Sequence, residues 1–102
     1  MKLQEMQKKV YENKVNHGFN VTDVPQEFCY LYGEVSEAYD AYLKKKEDLD
    51  LELADVAIYL LGLSEILGVD LKDAIEKKME INRKRSYVKD GKSFKKIENA
   101  ID

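Results

Sequence analysis

Leu3, Met6 and Val10 recur at the spacing of one helical face, and Gly18 follows as a stop, which predicts a first amphipathic helix. Residues 16–22 read as a loop. Thr22 or Asp23 can cap a second helix with Pro25 in its first turn, and the series Phe28, Leu31, Val35, Ala38, Tyr42 carries it to about Lys45. KKKEDLD makes the next turn. A third helix runs from about Leu49 to Leu67 and is closed by Gly68. It is apolar nearly all round but too short for a membrane span, so the pattern predicts a central core helix covered on more than one side. Asp70 can cap a fourth helix from Leu71 to about Arg85. The pattern therefore predicts an all-α antiparallel bundle of about four helices in residues 1–88. Residues 89–102 read as a polar, solvated tail. A third helix with so much apolar surface also predicts a homo-oligomer, a homodimer or homotetramer, that completes the bundle.

Two acidic pairs disturb this pattern. Glu34 and Glu37 stand three residues apart on the second helix, and Glu52 and Asp55 repeat the spacing on the third. At 100° per residue, Glu52 and Asp55 project with Val56, Tyr59, Leu63 and Ile66, along the apolar stripe. Glu34 flanks the stripe of Leu31, Val35 and Ala38, so the two pairs can face one another. Clustered carboxylates moved out of water cost several kcal/mol each, about the effective desolvation penalty of a single ion, and they repel one another. Lysines could offset that charge, but a hard divalent cation is the better match for convergent oxygens without thiol or imidazole. Mg²⁺, with Mn²⁺ as a substitute, suits phosphate chemistry because it keeps positions open to substrate oxygens. A di-iron bundle would need an ExxH motif on each of two helices, which the single His17 excludes. On the fourth helix the inward stripe begins with Leu71 and Ile75 and continues as Lys78, Asn82 and Arg85. A cationic half-face there can reach toward bound phosphates or snorkel to water.

Composition narrows the function further. The 102 residues suit one domain, and a formal charge of -3 supplies no general attraction to nucleic acid or acidic membranes. The N-terminus lacks an apolar run of signal type, which predicts a cytoplasmic protein. Cys29 has no second thiol for a disulfide or a CxxC motif.

With ExxE at Glu34–Glu37, ExxD at Glu52–Asp55 and then KKMEINRKRSY, the chain resembles the MazG-like nucleotide pyrophosphohydrolases. The resemblance runs from the first helix to Tyr87. It implies that Glu34, Glu37, Glu52 and Asp55 bind Mg²⁺, and that Lys78 and Asn82 hold the triphosphate. Arg85 and Tyr87 match the family's arginine-tyrosine ending, with Ser86 inserted between them. It further implies hydrolysis of a nucleoside triphosphate to the monophosphate and pyrophosphate, with Glu37, or Glu34 beside it, in the catalytic role. Without tryptophan, base stacking falls to tyrosine, phenylalanine or His17. The alternatives are a nucleotide- or metal-binding regulatory module without turnover and a structural helical dimer whose acidic pairs are matched by lysines.

Overall fold

A computed structural model describes the backbone at residues 1–90 and 93–97 and the side chains as far as Arg85. It contains four helices, α1 (Leu3–Asn16), α2 (Val24–Leu43), α3 (Leu49–Ile66) and α4 (Leu71–Lys84), followed by strands β1 (Ser86–Asp90) and β2 (Ser93–Ile97). The chain divides into a unit of Met1–Leu71 and a unit of Lys72–Asp102.

Helix boundaries follow local chemistry. The Asp23 carboxylate accepts from the Gln26 N–H at 3.1 Å, which satisfies one orphan donor at the start of α2, with Pro25 in the first turn. The first three helices end alike, in the six-to-one and five-to-two hydrogen bonds of a Schellman motif. Phe19 N–H reaches Lys14 C=O, Lys46 N–H reaches Ala41 C=O and Val69 N–H reaches Ser64 C=O, at 2.8 to 3.0 Å. The motif needs a left-handed residue just before these donors. Gly18 (φ 70°) and Gly68 (φ 68°) supply it at α1 and α3, but Lys45 (φ 53°) does so at α2.

Helix α3 packs against both α1 and α2. Tyr30 meets Tyr59 edge to face at 6.1 Å, whereas Glu37, later on α2, meets Glu52, earlier on α3, so these helices run antiparallel. Gly62 lets α1 come close: a Cβ there would stand 3.1 Å from Lys14 Cδ and 3.3 Å from Val10 Cγ1. Among the described residues the buried apolar side chains are Ala38, Ala41, Leu61 and Leu63. Tyr32 (71% exposed), Tyr39, Leu43, Leu51 (64%) and Leu53 stay open in the single chain. The all-round apolar character of α3 is thus only partly covered within one copy.

Helix α1 departs from the expected pattern. Met6 is exposed, and the inward stripe is Leu3, Gln7, Val10 and Lys14, with both polar members buried. Gln7 is fully used there: its amide donates to Glu65 at 3.0 Å and to Val69 C=O at 2.7 Å, while its oxygen accepts from Leu71 N–H. A buried amide with its partners in place costs little, so it can stand where an apolar residue was expected.

The second unit carries a short antiparallel ladder. A boundary at residue 88 falls within β1, which pairs antiparallel with β2, Ser86 opposite Ile97 and Asp90 opposite Ser93. Ladder hydrogen bonds satisfy backbone groups that a solvated tail would leave to water. Residues 91–92 and 98–102 of the expected tail lie outside the described residues. No helix of the described residues is long and apolar enough to cross a membrane.

Candidate functional site

Antiparallel packing of α2 on α3 brings the two acidic pairs together. Glu34, Glu37 and Glu52 each offer a carboxylate oxygen within 4.8 Å of the other two. Glu34 and Glu52 are half-buried and Glu37 is exposed. Asp55, the fourth expected ligand, is exposed and outside that trio, yet near enough for its charge to act on Glu34 and Glu52.

Electrostatics of the trio are unfavourable as they stand. Burial pushes the Glu34 carboxyl above its ordinary 4.5, and the charges of Glu37, Asp55 and Glu52 push it further. Glu52 is raised chiefly by desolvation and then by Asp48, Glu37 and Asp55, against the opposing field of Lys46. One oxygen of each, Oε2, is buried without a hydrogen-bond partner. An orphaned carboxylate oxygen wants either a proton or a cation. Three convergent oxygen donors, two with such atoms, fit a hard divalent cation; the ordinary reading of acidic side chains on a solvated face does not explain the burial.

Beside the trio, toward the N-terminal end of α2, lies a pocket of about 230 Å³ lined by Lys14, Phe19, Asn20, Glu27, Tyr30 and Tyr59. Tyr59 joins pocket to cluster, since burial and the nearby Glu34 and Glu27 charges raise its hydroxyl above the ordinary 10.0. The Lys14 ammonium lies 5.0 Å from the centre of its ring. Phe19 stacks with His17 at 5.3 Å, in the loop after α1. That loop is shaped by Asn20, whose side chain accepts from the N–H groups of Thr22 and Asp23 and donates to Asp23 C=O and Glu27.

Of the other predicted residues, Lys78 and Asn82 lie exposed on α4, in the second unit. The Arg85 guanidinium donates to the Asn82 side-chain oxygen at 3.1 Å. The Tyr87 side chain lies outside the described residues. Sequence reasoning missed Lys14, Asn20, Glu27 and Lys46 altogether. A usable signal existed for Lys14, which continues the heptad-like spacing of Leu3, Gln7 and Val10.

A family model described as MazG-like matches residues 28–99, most of the chain and all of the carboxylate cluster. The chain belongs to the MazG-like family. It is 51% identical over 39 residues to a dATP/dGTP diphosphohydrolase of Cyanophage S-2L, a match spanning 38% of this chain and 37% of that relative's length. Among solved structures it is similar to the Cyanophage S-2L MazG-like pyrophosphohydrolase bound to dGDP and three catalytic Mn²⁺ ions per active site. That match has a TM-score of 0.74 and 28% identity, covering 96% of this chain and 99% of the other.

Proposed function

We propose that this MazG-like protein is a divalent-metal-dependent hydrolase that cleaves a nucleoside triphosphate between its α and β phosphates. The observation that carries this reading is the convergence of Glu34, Glu37 and Glu52 with two orphaned buried oxygens, next to a pocket lined by Phe19, Tyr30 and Tyr59. Relatives that bind dGDP or act on dATP and dGTP support a nucleotide substrate.

Glu34, Glu37, Glu52 and Asp55 would hold the metal, with Mg²⁺ as the physiological ion and Mn²⁺ as a substitute. Bound there, the ion would screen phosphate charge and acidify a coordinated water. Glu37 is exposed, and the carboxylate oxygen it leaves free of the metal would take the proton of the attacking water. Water oxygen adds to the α phosphorus, the bond from that phosphorus to the bridging oxygen breaks, and pyrophosphate leaves. Glu34, whose raised carboxyl lies beside Glu37, is the second candidate for taking that proton. Phe19, Tyr30 and Tyr59 offer ring faces for the base. By the motif they match, Lys78, Asn82, Arg85 and Tyr87 are our candidates for phosphate contacts. The exposed apolar side chains of α2 and α3 are covered in a homo-oligomer.

Pyrophosphate release from a panel of canonical and modified triphosphates, assayed with Mg²⁺ and with Mn²⁺, tests the reading. Release with at least one member is expected. Metal-dependent binding without release from any member would make the protein a regulatory module instead.

A further inference from the structure

A second hollow, of about 360 Å³, lies toward the C-terminal end of α2, away from the aromatic pocket, and is lined by Ser36, Glu37, Asp40, Lys46 and Glu52. Glu37 and Glu52 belong to the trio, so hollow and cluster share a wall. Lys46 is the cation on that lining, and its field reaches Glu52. Asp40, which would repel an anion, is matched by Lys44 at 3.1 Å.

Backbone geometry at this corner is unusual for its type. At the ends of α1 and α3 the left-handed position is glycine and the next residue, Phe19 or Val69, is apolar, as the Schellman motif favours. At the end of α2 both positions are lysine, Lys45 and Lys46. The turn thus gives up the favoured glycine and the apolar contact, and carries a cation into the hollow instead.

We propose that Lys46 binds the terminal phosphates of the triphosphate, those that depart as pyrophosphate, and so fixes the direction in which the substrate lies. The base then points to Tyr30 and Tyr59, and the leaving group points to the α2–α3 turn. From Tyr30 to Asp40 the helix rises about 15 Å, room for the extended nucleotide to pass over the carboxylates between. This assignment rests on the function proposed above.

Product inhibition separates the two ends of the substrate. The full chain, wild type and Lys46→Ala, would be assayed at saturating metal for inhibition by inorganic pyrophosphate and by the nucleoside monophosphate product. Lys46→Ala should weaken pyrophosphate inhibition about tenfold, the size of one charge-assisted phosphate contact, and leave monophosphate inhibition unchanged. Lys46→Arg should retain most of the pyrophosphate affinity, and Lys45→Gly should behave as wild type in both assays. Unchanged pyrophosphate inhibition in Lys46→Ala overturns the assignment. Equal loss for both products also overturns it, because a general disturbance of the metal site has that signature. An active wild type with either of these outcomes leaves the proposed reaction standing. A wild type that releases no pyrophosphate from any triphosphate removes both.

Discussion

The Lys14 ammonium pairs with the Glu27 carboxylate between α1 and α2, with Lys14 only 8% and Glu27 only 2% exposed. Breaking such a pair from one side leaves an uncompensated buried charge. Glu27→Leu or Lys14→Met alone should therefore destabilise the protein by about 3–5 kcal/mol, whereas the double variant should recover most of that loss. Thermal and urea denaturation of the three variants measures it. A double variant as unstable as the sum of the singles would mean that the pair is not the unit of stability.

Metal-free protein should become more stable as pH falls from neutrality toward 4.5. Glu34 and Glu52 both have carboxyls raised above that ordinary value, so the folded state binds protons before the unfolded chain does. Their stabilising contribution is complete below 4.5 and is lost as pH rises through the raised folded values. Glu34→Gln and Glu52→Gln should each flatten this part of the stability curve. Melting temperature against pH, in the presence of a chelator, checks the sign.

Addition of Mg²⁺ or Mn²⁺ at neutral pH should raise the melting temperature of the wild type, because cation binding favours the folded state and relieves carboxylate repulsion. Gln at positions 34, 37 and 52, and Asn at position 55, should each reduce or abolish the response. A wild type indifferent to both ions, with and without nucleotide, would sink the metal-site proposal.

Lys45→Gly should stabilise the fold by about 0.5–1 kcal/mol, because a left-handed conformation that strains a lysine costs glycine little. Chemical denaturation resolves a change of that size. A destabilised variant would show that the lysine stem makes contacts worth more than the relieved strain.

Assembly is expected as well. Light scattering should give at least twice the chain mass of 11.9 kDa, and Leu51→Glu or Tyr32→Glu should lower it if the exposed side chain lies in the interface. A monomer at assay concentration would contradict the oligomer.

Much of this was legible in the residues themselves. Helix ends were marked by Gly18, Asp23, Pro25 and Gly68, whose effects are local. The carboxylate pairs were legible because the separation of Glu34 from Glu37 and of Glu52 from Asp55 fixes which helix face they occupy. Buried polar residues were not, since Gln7 is inward only because Glu65 and Val69, far along the chain, complete its hydrogen bonds. Lys14 and Glu27 likewise explain one another across a loop. Lys46 looked like one member of a charge run, and only the turn geometry sets it apart from Lys44. The strand ladder was hidden by its lysines, which read as solvated when the pairing partner is unknown.

Four hydrogen bonds converge on the side chain of Asn20, so the loop that carries Phe19 has its shape before any ligand arrives. A ligand entering the aromatic pocket would find a standing wall. Its calorimetric signature should then be the modest negative heat-capacity change of apolar surface closing over a base. The large entropic penalty of a segment that folds around its guest should be missing.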